Sequence, residues 1–199
     1  MITALISRKG GVGKTTTAVN LSAALADQGL RVLLVDLDSQ ASASLSLGVD
    51  RSSLAPSSAD VLLNGLPAAQ AVRETAIPGL HLITASVDLI RAESELGIFR
   101  GKEVRLKQML TDLAKGYDFV FLDCPSSLSL LPANAIVAAD AFIVPVVPQF
   151  LAVTGVKNLI GAAERTAWDH GTRVRPLGLL LTVVDYRTKS TRLTVDELR

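Results

Sequence analysis

The sequence is poor in the residues that support several common kinds of protein. Cys124 is the one cysteine among 199 residues, which excludes a disulfide framework and a cysteine-ligated metal site within one chain and suits a reducing compartment. Aromatic residues make up only 4%, too few to predict stacking platforms for single-stranded nucleic acid. Basic and acidic side chains nearly balance, at 20 and 19, so any contact with nucleic acid must come from a local patch.

Long apolar runs are also missing. No window approaches the roughly 20 apolar residues of a membrane-spanning helix. The first apolar run, Ile2 to Ile6, is short and is followed at once by Arg8, Lys9 and glycines, which does not resemble a targeting signal. We therefore expect a soluble, cytoplasmic protein. The hydrophobic content of 49% is enough for a chain of this length to bury a core.

Short apolar runs alternate with helical patterns along the chain. The runs are continuous in Val, Ile, Leu and Phe, which is typical of parallel strands covered on both faces. The predicted strands are Ile2–Ser7, Arg31–Val35, Leu80–Thr84, Phe119–Leu122, Ala141–Val144 and Leu177–Val183. The predicted helices are Thr15–Gln28, a stripe from Val104 to Leu113, and Val153–Trp168. We expect an α/β fold with a doubly wound, mostly parallel sheet and helices on both faces.

Two stretches are less regular. Ser39–Ser58 is rich in Ser and Ala and predicts a loop or short helices. Thr191–Arg199 reads as the opening turns of a helix in which the chain stops. We therefore expect one domain over residues 1–199, which is either truncated at its C-terminal end or a short variant.

A glycine-rich loop directly follows the first predicted strand and opens the first helix. Its glycines let backbone N–H groups surround phosphate oxygens, and the helix N-terminus adds a positive dipole end. Lys14 would reach the outer phosphates and Thr15 would offer its hydroxyl to Mg²⁺. Lys9 places a second lysine at the mouth of the loop, and Arg8 stands where the usual P-loop spacing has glycine. The predicted ATP-binding residues are Lys9, Gly10, Gly11, Val12, Gly13, Lys14, Thr15 and Thr16.

Three aspartates stand at the ends of predicted strands. Asp36 and Asp38 lie at the carboxyl end of the second strand, where ligands bind in open α/β sheets. Asp123 ends an all-apolar strand, where a buried carboxylate is costly unless it is paired or lies near a cation. Cys124 beside it is interpreted as a packing residue. His81 and His170 show no ligand spacing and are interpreted as structural or surface residues.

These segments together resemble the ParA/MinD superfamily of partitioning and positioning ATPases. Residues 9–16 resemble its deviant Walker A motif, and Phe119–Leu128 resembles its Walker B segment. Residues 33–40 resemble the second motif of the ParA/Soj branch, usually Asp-x-Asp-Pro-Gln, with Ser39 in place of the proline. Leu181–Thr188 resembles a late strand and loop of ParA/Soj proteins.

The resemblance implies a mechanism and partners. Asp38 would position the hydrolytic water, and Asp36, Asp123 and Thr15 would lie at the Mg²⁺, the aspartates through water. Lys9 would reach the nucleotide of a second copy in an ATP-dependent homodimer, so that Lys9, Lys14 and Asp38 form the catalytic set. The dimer would bind double-stranded DNA without sequence preference, and a ParB-like protein would stimulate slow hydrolysis. The basic residues that match the DNA surface are Arg187, Lys189 and Arg192.

Other readings stay open at this point. A MinD-like protein would associate with a membrane through a C-terminal amphipathic helix, but Val195–Arg199 shows no basic amphipathic pattern. A small-molecule enzyme of the dethiobiotin synthetase type would share the fold, but no residue cluster suggests its substrate pocket. A nucleotide-binding module without hydrolysis is disfavoured because Lys9, Asp38 and Asp123 occur together. We expect a nucleoid-associated ATPase that partitions or positions DNA or a large cargo.

Overall fold

The computed structural model describes residues 1–95, 101–127, 129–149 and 152–198. Leu128 and Arg199, which close two of the segments discussed above, lie outside these ranges. The strands are β1 Ile2–Leu5, β2 Val32–Asp36, β3 Val72–Glu74, β4 Leu80–Ile83, β5 Phe119–Asp123, β6 Ala141–Val146 and β7 Arg175–Leu181. The helices are α1 Lys14–Asp27, α2 Ser42–Ser46, α3 Ser58–Asn64, α4 Ala68–Ala71, α5 Leu89–Glu95, α6 Arg105–Leu110, α7 Leu130–Ala138, α8 Ala152–Asp169 and α9 Lys189–Leu198.

Within the described ranges, seven strands form one sheet in the order β3-β4-β2-β5-β1-β6-β7. Every pairing is parallel except that of β3, which runs antiparallel to β4 at the edge. Parallel neighbours require crossover connections, and helices provide them. The predicted doubly wound α/β fold is confirmed.

The hydrophobic core is divided between the two faces of the sheet. All five residues of β2 are buried, and its four apolar residues alternate between two apolar clusters. Leu33 and Val35 belong to the larger cluster and Leu34 to the smaller one, as expected when successive strand residues point to opposite faces. The continuous apolar strand pattern therefore follows from burial on both sides.

Several elements differ from their predicted lengths. The edge strand β3 was not predicted because three residues carry too little pattern. The stripe predicted to run to Leu113 forms a helix only as far as Leu110, and a 3-10 turn follows over Leu113–Gly116. The helix ends where the N–H and the hydroxyl of Thr111 both donate to the carbonyl of Lys107, at 3.0 and 2.7 Å. The Ser- and Ala-rich stretch contains α2 and a 3-10 turn over Arg51–Ser53.

The sheet brings three loops to one edge. In the order β2-β5-β1, the carboxyl ends of three adjacent parallel strands carry residues 37–41, the segment after Asp123, and the glycine-rich loop. Asp36 pairs with Asp123 and Asp123 with Leu5 in the strand register. Ligands of open α/β sheets bind at such carboxyl edges.

Candidate nucleotide-binding site

The glycine-rich loop has the backbone that a phosphate cradle needs. Gly11 and Gly13 have φ angles of +71° and +87°, in the left-handed region that favours glycine. Gly13 is the N-cap of the 14-residue helix α1. A Cβ atom built on Gly10 or Gly11 would meet no described atom within 4 Å, so the loop faces open space. Its N–H groups and the helix N-terminus are therefore available to an anion.

Each lysine of the loop is held by a neutral side chain from a different part of the fold. The Lys14 side chain is buried, and its Nζ donates a hydrogen bond to the Ser126 hydroxyl. Lys9 is exposed, and its Nζ donates to the Oε1 of Gln149. Lys14 therefore lies inside the loop, and Lys9 lies at its mouth. Ser126 and Gln149 were not predicted, because no spacing in the sequence links them to the loop.

The Asp36 carboxylate is used to organise its own loop. Its Oδ1 accepts the N–H of Asp38 at 3.1 Å, and its Oδ2 accepts the N–H and the hydroxyl of Ser44 at 2.9 and 2.7 Å. The Ser44 hydroxyl in turn accepts the N–H of Ala85 at 3.1 Å. Burial raises the pKa of Asp36 to about 6 despite these bonds. Asp36 therefore ties the loop that carries Asp38 to α2 and to the end of β4.

The Asp123 carboxylate is buried at the end of β5. Neither of its oxygens has a partner among the described residues. Burial raises the pKa of Asp123 to about 7, and the charges of Asp36 and Asp38 add to this rise. The Thr15 hydroxyl and the Lys14 ammonium are close enough to lower the same pKa, although Thr15 makes no hydrogen bond of ordinary geometry with it.

An unpaired carboxylate beside a threonine hydroxyl fits a divalent cation. Such a buried charge is costly to leave without a counter-charge. The described residues contain no group of three or more His, Cys, Asp or Glu side chains that could enclose a metal by themselves. Magnesium in phosphate sites takes one or two protein oxygens and completes its shell with phosphate and water. Thr15 and Asp123 match that pattern.

Asp38 and Thr16 complete the edge. Asp38 is half-buried, and its Oδ1 accepts the N–H of Gln40 at 3.0 Å, which holds the carboxylate at the start of the loop. Thr16 is exposed on the first turn of α1, and Val12 is buried beneath the loop.

Cys124 is buried, and its Sγ lies 3.7 Å from the carbonyl oxygen of Leu122. Burial and the neighbouring Asp123 raise the pKa of the Cys124 thiol, in keeping with a packing role.

The basic residues lie on one stretch, the loop after β7 and the first turn of α9. Arg187 is 90% exposed and forms a bidentate ion pair with Asp185, with Nη2 2.6 Å from Oδ2. Arg192 donates from Nε to the carbonyl of Tyr186 at 2.7 Å, and Lys189 begins α9. The Thr182 hydroxyl donates to the carbonyl of Val12 at 2.8 Å. This bond joins the start of the basic stretch to the glycine-rich loop.

The fold and the site define the class of protein. A strand–loop–helix with two lysines, next to buried carboxylates at the carboxyl edge of a parallel sheet, is the arrangement of a P-loop ATPase. A family model described as an AAA domain matches residues 1–170.

Similarity to known proteins identifies the family within that class. The sporulation initiation inhibitor protein Soj of Bacillus subtilis is 37% identical over 198 residues, covering 100% of this chain and 78% of Soj. The chromosome partitioning protein ParA of Caulobacter vibrioides is 40% identical over 200 residues, covering 100% of this chain and 75% of ParA. The chain belongs to the ParA/Soj family of partitioning ATPases, as its motifs predicted.

A solved structure supports the same fold. Cobyrinic acid a,c-diamide synthase from Mycobacterium smegmatis, with a bound ATP analogue and magnesium, superposes with a TM-score of 0.88 at 39% identity. The match covers 98% of this chain and 80% of that one. The groups bound in that structure agree with the predicted cofactors, ATP and Mg²⁺. Among the described residues, no helix is long and apolar enough to cross a membrane.

Proposed function

We propose that this ATPase is a nucleotide-driven switch that binds MgATP, dimerises, and holds DNA as a dimer until slow hydrolysis releases it. The observation that carries the proposal is the meeting of Lys9, Lys14, Asp38 and the unpaired Asp123 at one edge of the sheet. A module that only binds nucleotide is disfavoured because Lys9, Asp38 and Asp123 occur together. The membership of the ParA/Soj family supports partitioning or positioning of DNA or a large cargo as the task.

The residues at the edge divide the chemistry of hydrolysis. Lys14 and the loop N–H groups would hold the phosphates. Thr15 would bind magnesium directly, and Asp123 would bind it through water. Bound magnesium would neutralise charge on the phosphate oxygens. Asp38 would accept a hydrogen bond from the attacking water and orient it towards the terminal phosphorus. The role of Asp36 near magnesium stays a prediction. Its bonds to Asp38 and Ser44 support a role in orienting the loop that carries Asp38.

Dimerisation would complete the site from outside the chain. Lys9 is exposed, and its bond to the neutral Gln149 involves no counter-charge to overcome when the lysine leaves it. An apolar cavity of about 570 Å³ opens beside it, lined among others by Val12, Val146 and Leu159. A second copy of the chain would cover this surface. Lys9 would then reach the phosphates of the nucleotide bound to that second copy. A cation delivered in trans to a phosphoryl transition state is worth about 10³–10⁵ in rate.

ATP-dependent dimerisation is tested by the molecular mass of the protein in the presence of each nucleotide. Asp38→Ala should accumulate as an ATP-bound dimer, because binding contacts survive while the water loses its orienting carboxylate. Lys9→Ala should bind ATP and hydrolyse it poorly. Light scattering with ATP and with ADP would measure the mass of each variant. An Asp38→Ala protein that is monomeric with saturating ATP would contradict the scheme.

DNA binding is assigned to the stretch of Arg187, Lys189 and Arg192. Asp185 neutralises part of the charge of Arg187, and a phosphate would have to compete with it. Each phosphate contact contributes about 0.9 to the slope of log affinity against log salt. A few contacts on one chain bind weakly, and two chains on one duplex gain effective concentration. Dimerisation alone would therefore link ATP to DNA occupancy and to nucleoid localisation.

Charge reversal tests the assignment. Arg187→Glu should weaken ATP-dependent binding of unrelated duplexes equally and flatten the salt dependence, without changing dimerisation. Lys115→Glu is the control, since Lys115 is exposed in the turn before β5, at the opposite edge of the sheet. Equal affinity and slope for Arg187→Glu and wild type would remove this loop from the DNA surface.

ATPase turnover separates the proposal from its alternatives. Stimulation by double-stranded DNA, and further by a ParB-like protein, supports the switch. The similarity to a diamide synthase supports a small-molecule enzyme as the alternative. ATPase turnover that requires a small acceptor molecule and does not change with DNA would favour that alternative.

A further inference from the structure

A serine hydroxyl lies against the P-loop lysine. Ser126 follows β5 by three residues, on the segment that begins after Asp123. Its Oγ accepts a hydrogen bond from Nζ of Lys14, 112 residues away in the chain. The Lys14 charge also lowers the pKa of Asp123. The bond therefore joins the first residue of α1 to the segment that follows β5 and Asp123.

The Ser126 hydroxyl still has a proton to donate. A hydroxyl that accepts from an ammonium keeps its own O–H free. Within the described ranges, this O–H has no acceptor. The neighbouring Ser127 is different, because its Oγ pairs with that of Ser129 at 2.6 Å. Of the three serines in this segment, Ser126 alone therefore combines contact with Lys14 and a free donor.

We propose that Ser126 donates a hydrogen bond to a terminal phosphoryl oxygen of ATP and so distinguishes ATP from ADP. The proposal rests on the proposed binding of ATP with Lys14 at the outer phosphates. A hydroxyl in contact with Nζ lies within about two hydrogen-bond lengths, roughly 6 Å, of any oxygen that Nζ binds. Ser126 follows β5, and β5 pairs with β2, whose end leads into the loop that carries Asp38, so Ser126 would lie near the phosphoryl group that water attacks. ADP offers no oxygen at that position.

The experiment compares two nucleotides on four proteins. Calorimetry with Mg²⁺ would measure the affinity of a β,γ-imido analogue of ATP and of ADP for wild type, Ser126→Ala, Ser126→Thr and Ser127→Ala. A hydrogen bond to a charged oxygen predicts about a 10-fold loss of affinity for the ATP analogue in Ser126→Ala. Its affinity for ADP should stay within about 2-fold of wild type, because the remaining contacts are the same. Ser126→Thr should restore discrimination, and Ser127→Ala should match wild type.

Two results would overturn the role of Ser126. Equal losses for both nucleotides would make it a general support of the loop. Tighter binding of both nucleotides to Ser126→Ala would mean that Ser126 only holds Lys14 in the absence of nucleotide. Removing the hydroxyl would then free the lysine to bind phosphate. A wild-type protein that binds neither nucleotide would instead overturn the proposed function, so the two failures are distinguishable.

Discussion

Replacing Asp123 by asparagine should make the metal-free protein more stable at high pH. An acid whose pKa is raised by folding destabilises the fold once the unfolded chain ionises. For Asp123 the penalty begins near its ordinary pKa of 3.8, grows with pH, and is constant above about 7. At about 1.36 kcal/mol per unit, this shift corresponds to on the order of 4 kcal/mol. The buried amide and the buried protonated acid both lack a partner, so their desolvation costs largely cancel, which leaves a net gain of up to about 4 kcal/mol at pH 8.

The gain in stability should shrink as the pH falls. At pH 4.5 the carboxylate penalty is only about 1 kcal/mol, so Asp123→Asn should gain no more than about 1 kcal/mol over wild type there. Urea unfolding in EDTA at pH 4.5 and pH 8 measures both values. Asp27→Asn is the control, since Asp27 is exposed near the end of α1 and should change the free energy of unfolding by less than about 0.5 kcal/mol at either pH.

Adding MgATP should reverse the order. A ligand that binds only the folded state stabilises it by RT ln(1 + L/Kd), which grows with the ligand concentration L relative to the dissociation constant Kd. Wild type should gain stability from the nucleotide with magnesium, and Asp123→Asn should lose the part of that gain that depends on magnesium. A variant that is less stable than wild type by the same amount at both pH values would refute the unpaired carboxylate as the cause.

Three further variants test other contacts. Lys14→Ala should fold normally and lose nucleotide binding, as measured by circular dichroism and calorimetry. Ser44→Ala should lower the free energy of unfolding by about 2–3 kcal/mol in urea, because it leaves the N–H of Ala85 unpaired and removes one bond to Asp36. Thr182→Val should cost about 1 kcal/mol in the same assay and weaken ATP binding, because it removes the bond to the carbonyl of Val12.

The sequence predicted the parts of the site that depend on neighbouring residues. The loop from Lys9 to Thr16 and the aspartates at strand ends were visible because glycine spacing and apolar runs are local patterns. Burial on both faces made most strands continuous in apolar residues, so their parallel arrangement was also predictable.

The contacts that hold the site together could not be predicted in this way. Ser44 and Ala85 are 41 residues apart, Lys14 and Ser126 are 112, and Val12 and Thr182 are 170. Each joins ordinary serine, threonine or backbone groups, whose partners depend on how the strands are ordered. The use of the Asp36 oxygens by its own loop was likewise unpredicted, because a carboxylate at a strand end gives no sign of which N–H groups will turn towards it.

The buried cysteine gives this protein an internal reporter. Thiol reagents attack the thiolate, and Cys124 is 1% exposed with a raised pKa. Because it is the one cysteine in the sequence, modification of the unaltered chain would report a single position, next to Asp123. The rate of that modification measures how often the end of β5 opens to solvent, which is a local free energy rather than a global one. Nucleotide binding could thus be followed as slower modification of the Cys124 thiol, and no cysteine would have to be introduced by mutation.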